Sequence, residues 1–204
     1  LRPIRPILWC GSDFSSPDGT LYAFIRVTGI AMMGLLGNLR KEDVIESIPL
    51  YRRVLSDPRH LLAFGLGSGL APVAPGTFGT VAAIPLYWLM SDLPLAAYLG
   101  ITLVLFLVGC WLCGWSARDL GVHDHSGIVW DEVVGLLITM TAVPAGWGAI
   151  ALGFGLFRLF DIWKPWPIKG IDARVDGGFG IMLDDVIAGL YAAVCLQLIL
   201  SLIR

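Results

Sequence analysis

Charge is scarce in this chain. Only 15% of its 204 residues are Asp, Glu, Lys or Arg, 56% are apolar, and the mean hydropathy is +0.77. Soluble domains carry about 25% charged residues, so the composition excludes an ordinary soluble domain and points to a membrane protein. A basic excess is also missing: the net charge is −2, which argues against a nucleic-acid binder, because such proteins concentrate Lys and Arg on one face to neutralise phosphates. Cysteine is too sparse for a disulfide framework, with Cys10, Cys110, Cys113 and Cys195 scattered along the sequence. Cys110 and Cys113 form a C-x-x-C inside an apolar run, without the second pair of a zinc site or the βαβ surroundings of a redox fold, and read as helix packing. The G-x-x-x-x-G-K-[ST] pattern is absent, which disfavours nucleotide binding. The length leaves room for one domain, and no internal repeat or low-complexity tract interrupts it.

The opening "LRPIRPILWC" has too short an apolar stretch for a secretory signal. Residues 1 to 31 read as an extension, with Met32 or Met33 as an alternative start, and Lys41 to Leu55 as an amphipathic surface helix. This divides the chain into an N-terminal extension and surface helix, 1–56, and a membrane-embedded domain, 57–204.

Five apolar segments follow: Thr77 to Met90, Leu95 to Trp115, Val133 to Val143, Trp147 to Phe160 and Val186 to Ile203. Only the second and fifth approach the roughly 20 residues that span a hydrocarbon core unaided. The third and fourth suffice only if they extend from about Gly127 and to about Trp163, which draws Asp131, Glu132, Arg158 and Asp161 into helix ends. The expected fold is all-α, a polytopic membrane bundle of about four to five helices, some of them short. If the stretch before Thr77 is cytoplasmic, the outer loops "SDLP" and "PAGW" hold no basic residue, and Arg52, Arg53, Arg59, Arg118, Lys164, Lys169 and Arg174 fall inside. On that topology nine of the sixteen acidic residues gather on the cytoplasmic side, in 117–132, 161–176 and 184–185.

Ionised carboxylates beside such apolar runs must be paired, hydrogen bonded or metal bound. Asp131 and Glu132 are expected to open one helix, Asp161 to close another, and Asp184 and Asp185 to open the last. Helix capping explains any single one of them; together they offer hard oxygen ligands of the kind that hold Mg²⁺ with water and phosphate. His123, Asp124 and His125 lie in the loop before Asp131, as acid–base or supporting groups or simply as a polar interfacial loop. "FGLGSGLAPVAPGTFGT", residues 64 to 80, carries five glycines with Ser68 and Thr77. It fits either backbone approach to a phosphate or tight helix packing. Arg158 and Asp161 are spaced to pair on one helix face. Lys164 stands at the helix stop set by Pro165 and Pro167, while Trp163 and Trp166 fit a membrane interface.

"HLLAFGLGSGLAPVAPGTFGTVAAIP", "DLGVHDHSGIVWDEVVG", "FRLFDIWKPWPIKGID" and "GGFGIMLDDVIAG" resemble, in order and spacing, the signature blocks of the bacterial phosphatidylglycerophosphatase A family. The resemblance covers about residues 59 to 203. It implies a Mg²⁺-dependent membrane phosphatase that converts phosphatidylglycerol phosphate to phosphatidylglycerol, on the cytoplasmic side of the inner membrane of a bacterium. The shared polar positions fall on His123, Asp124, His125, Asp131, Glu132, Arg158, Asp161, Lys164, Asp172, Asp184 and Asp185, and related soluble members are similar to an all-helical bundle around a central helix. On this reading Asp131, Glu132, Asp161, Asp184 and Asp185 hold one or two Mg²⁺, and Arg158 and Lys164 offset charge on the phosphate, with Ser68 and Thr77 as further phosphate contacts. The D-x-D-x-T/V pattern of aspartate-nucleophile phosphatases is absent, which favours attack by water. A cation transporter is the rival reading, since acids inside membranes often line ion paths, but these acids cluster at one end of the segments rather than at mid-span. A CDP-alcohol transferase would show D-x-x-D-G-x-x-A-R and a type-2 lipid phosphatase P-S-G-H, and neither occurs.

Overall fold

Residues 49–122, 125–172 and 174–203 are described in the computed structural model. Among the described residues two short helices come first, α1 (Leu50–Ser56) and α2 (Pro58–Ala63). Asp57 caps α2 by accepting the Arg59 N–H, with Pro58 at the first helical position. The Arg59 guanidinium also bonds this carboxylate and holds it down to about 2. The cap is therefore intact above the ordinary carboxylate range and is lost only as pH falls through about 2. The glycine-rich stretch continues as 3-10 turns over Gly65–Leu70.

Five longer elements build the bundle: α3 (Pro75–Met90), α4 (Leu95–Leu120), α5 (Trp130–Thr139), α6 (Trp147–Trp163) and, after the short α7 (Ile168–Asp172), α8 (Gly177–Ile203). The described residues are all helix, turn or loop, with no strand. From Leu50 onward the chain forms one compact unit, in which α8 packs against α4, α5, α6 and α7. Two of the helices, α4 and α8, are long and apolar enough to cross a membrane; at 1.5 Å per residue each reaches about 39 Å, against a hydrocarbon core of about 30 Å. Their outward faces are apolar and exposed, as at Leu103, Leu107, Val194 and Leu198. The extension of the fourth segment to Trp163 is observed. The third starts only at Trp130, and α5 is instead enclosed by its neighbours, with Val133, Val134, Leu136, Leu137 and Thr139 all buried.

Glycine lets these helices touch backbone to backbone. A Cβ on Gly178 would run into the Cys110 carbonyl and the Gly114 N–H where α8 crosses α4. At the crossing of α5 and α8, a Cβ on Gly189 would meet the Gly135 carbonyl, and one on Gly135 would meet the Phe157 ring and the Asp185 carbonyl. Gly178→Ala should therefore lower the melting temperature in detergent by several degrees, the usual effect of overpacking that costs about 1–3 kcal/mol; unchanged unfolding would mean that the helices can separate at no cost. Cys113 is buried with its sulfur 3.8 Å from that of Met182, which agrees with a packing role for the C-x-x-C. At the end of the bundle holding the 91–94 and 140–146 turns, the Tyr87 and Tyr98 hydroxyls donate to the carbonyls of Val143 and Leu137. The acid-bearing ends of α5 and α6 lie at the other.

The expected surface helix over Lys41 to Leu55 falls mostly outside the described residues, apart from the part that begins α1. One boundary is corrected. Asp184 and Asp185 do not open the last helix, because Gly177, at φ 78, starts α8 seven residues before Asp184. Both acids consequently sit about two turns inside a long helix, beyond the first turn where the macrodipole would favour them.

Candidate metal and phosphate site

The α5–α8 crossing determines what meets at the site. Gly135 lies one turn after Asp131 and Glu132, and Gly189 one turn after Asp185, so close approach of the glycines draws the three carboxylates together. Each offers an oxygen, and these oxygens lie within 4.8 Å of one another. Asp185 is 3% exposed and the Glu132 side chain 12%. Glu132 Oε2 is buried without a hydrogen-bond partner among the described residues. A buried acceptor left open beside two further carboxylates suits a hard divalent cation, and the donor set is all oxygen.

Basic groups flank the acids. Arg158, on α6, pairs through Nη1 with Asp161 Oδ2 at 2.5 Å and lies 3.7 Å from Glu132 Oε1. Its Nε is buried and has no hydrogen-bond partner among the described residues, so one guanidinium edge remains available for an anion. Lys164 ends α6 in the left-handed region, at φ 44, and its Nζ bonds Asp184 Oδ2 at 2.7 Å. The other Asp184 oxygen accepts the Asp185 N–H at 3.0 Å. Asp161 is also an electrostatic neighbour of Asp185 and Glu132.

The N-terminus of α3 closes one side. Ala74, at φ 48, precedes Pro75, and Gly76 presses so closely on the acids that a Cβ there would collide with Glu132 Oε1 and crowd Arg158 Nη1. Two non-glycine residues in the left-handed region, Ala74 and Lys164, thus border one site, a kind of local cost that accumulates where function requires it.

Of the expected residues, the structure brings together Asp131, Glu132, Asp185, Arg158 and Asp161, with Asp184 and Lys164 as a pair alongside. Asp161 and Asp184, expected as metal ligands, each carry a cationic side chain. His125 accepts the Gly127 N–H at Nδ1, 3.0 Å away. The Ser68 hydroxyl donates to the Gly65 carbonyl and closes its own turn, while Thr77 follows Gly76 in the first turn of α3, its N–H bonded to the Ala74 carbonyl. Asp172 ends α7; His123 and Asp124 lie outside the described residues. His60, which its sequence surroundings do not single out, is buried.

An apolar helical bundle with buried carboxylates and an open guanidinium edge at one end is the frame of an enzyme that handles a phosphorylated substrate. Comparison with known proteins makes this particular. The model of the Phosphatidylglycerophosphatase A family matches residues 61–200, and the chain belongs to that family; it is a phosphatase acting on a phosphomonoester. It is 48% identical over 155 residues to Phosphatidylglycerophosphatase A of Escherichia coli (strain K12), covering 76% of this chain and 88% of that protein. The protein of the same name in Haemophilus influenzae is 48% identical over 151 residues, covering 73% of this chain and 93% of its own length. A Bacteroides thetaiotaomicron protein, provisionally named a phosphatidylinositol-3-phosphatase, is 41% identical over 143 residues, with 65% and 87% covered. No solved structure matches the chain significantly.

Proposed function

We propose that this protein is a Mg²⁺-dependent phosphatase that removes the terminal phosphate of phosphatidylglycerol phosphate, giving phosphatidylglycerol and inorganic phosphate in phospholipid biosynthesis. The observation that carries the metal is the buried set of Asp131, Glu132 and Asp185 oxygens beside Arg158; the names of the Escherichia coli and Haemophilus influenzae relatives support the substrate. Asp131, Glu132 and Asp185 would hold the cation. Once bound, Mg²⁺ supplies polarisation of the phosphoryl oxygens and of a water molecule.

The protein's own groups supply the rest. Arg158, oriented by Asp161, presents its free edge to the phosphoryl oxygens, and Lys164, steered by Asp184, adds a second positive charge as negative charge moves toward the leaving oxygen. Water forms the new P–O bond and gives up a proton, the ester P–O bond breaks, and its electron pair leaves with the glycerol oxygen, which takes up that proton. His125, whose Nδ1 accepts the Gly127 N–H, keeps its Nε2–H as a hydrogen-bond donor toward the leaving oxygen. The exposed Ile162, Trp163 and Trp166 beside the site would sit at headgroup level. The basic residues at this end, against none in residues 91–94 and 140–147, support a site on the cytoplasmic face of a multi-pass bacterial inner-membrane protein.

The test is phosphate release in detergent from phosphatidylglycerol phosphate, with phosphatidylinositol 3-phosphate alongside because of the Bacteroides thetaiotaomicron relative. Release from the first lipid with Mg²⁺, abolished by EDTA and by Asp131→Asn, is expected. Faster release from the inositol lipid would reassign the substrate, and EDTA-resistant turnover would remove the metal from the proposal.

A further inference from the structure

Outside the carboxylate site, His60, on α2, is a polar side chain only 2% exposed. Its Nε2 lies 2.9 Å from Asp119 Oδ2 and its Nδ1 3.1 Å from Ser116 Oγ, so both ring nitrogens are bonded to the last turns of α4. With Nε2–H donated to Asp119, Nδ1 is left to accept from the Ser116 hydroxyl, which is fully buried. Arg53 bonds Asp119 as well, through the same oxygen and through the backbone carbonyl. The imidazole lies tilted against Trp115, ring centroids 4.8 Å apart, and Arg59 covers that indole at 3.7 Å. No step of the reaction described above uses any of these groups.

Their position gives them a purpose. Directly after this turn α4 stops at Gly121, in the left-handed region, with the Val122 N–H bonded back to the Ala117 carbonyl. The chain then runs to Asp131 and Glu132. The segment that carries His60 also grips the far end of this connection: the Ala63 carbonyl accepts the Val129 N–H at 2.9 Å, and the Gly69 backbone lies against the Gly127 carbonyl. Between the two grips Phe64 packs edge-on to His60, and its ring centroid is 5.5 Å from that of His125. Residues 60–69 therefore act as a splint along the connection between α4 and α5, and His60 is the polar pin at its α4 end.

We infer that His60, clamped between Asp119 and Ser116, is a positioning residue for phosphate release, setting the Gly127–Val129 stretch and with it His125 and the carboxylates that open α5. The catalytic part of this inference rests on the proposed function; the splint does not.

The experiment compares full-length wild type, His60→Ala, His60→Gln and Ser116→Ala in detergent, by steady-state kinetics on phosphatidylglycerol phosphate and by amide hydrogen exchange. Loss of a supporting group of this kind costs about 10–100-fold in activity. His60→Ala should lower kcat by about that factor, leave KM within about twofold, and speed exchange at Gly127, Ile128 and Val129 while Ala188 in α8 keeps wild-type protection. Gln can still donate to Asp119, so His60→Gln should recover most of kcat, and Ser116→Ala should fall between. Wild-type kcat in His60→Ala, or lost kcat without faster exchange in the connection, would overturn the inference. If His60→Ala fails to fold, wild-type kcat and exchange in both His60→Gln and Ser116→Ala would overturn it equally. A wild type inactive on this lipid would defeat the proposed function instead, and the exchange comparison would still decide the splint.

Discussion

Asp185→Asn is expected to reduce kcat by at least about 10³-fold while raising the melting temperature measured in EDTA. Asp185 is buried in the third turn of α8, too far from the helix start for capping, and its carboxylate shares a 4.8 Å cluster with Asp131 and Glu132. Two unit charges at that separation repel by about 3 kcal/mol at an effective dielectric constant near 20. An amide of the same size removes one charge from the cluster without opening a cavity. Under the proposed function, a bound cation is what would offset the acid at this position. Phosphate release and thermal unfolding of the same preparation check this. Retained activity would place Asp185 outside the site, and a lower melting temperature would make it a structural residue.

Gly76→Ala should lower kcat by about 10²-fold with little change in unfolding. The added methyl has no open space: it meets Glu132 Oε1 and Arg158 Nη1, so the carboxylate or the guanidinium must shift. A displacement near 1 Å of a positioned group can cost about 10²-fold in rate. Alanine is a better helix former than glycine, so α3 itself should tolerate the change. The readout is a kcat loss without a matching loss of helicity or melting temperature. Unimpaired turnover would show that the Glu132–Arg158 geometry is not needed for chemistry.

The helices were legible because their apolar runs are long and their stops explicit. Pro165 and Pro167 end α6 close to where Lys164 stops it, and Gly121 ends α4. The start of α8 lies ahead of the apolar run that begins at Val186, because the helix continues back through the two acids to Gly177, and the tight crossing with α4 explains why glycine stands at Gly178. The acids were recognisable as a set because charge is so rare. The Arg158–Asp161 pair followed from its spacing, whereas the pairing of Asp184 with Lys164 was not legible, because it joins residues twenty positions apart. Of the two readings of the glycine-rich stretch, close packing is observed at Gly76, where a Cβ would meet Glu132 and Arg158. His60 left no local mark, because its partner Ser116 is 56 residues away and only folding brings them together.

The wide apolar exterior of α4 and α8 and the exposed Trp163 and Trp166 beside the carboxylates bear on how turnover should be counted. A lipid reaching this end of the bundle travels in the plane of the bilayer and never enters bulk water. Its effective concentration is then its mole fraction among the surrounding lipids, so diluting the substrate with inert lipid should slow the enzyme even when the total amount in the tube is unchanged.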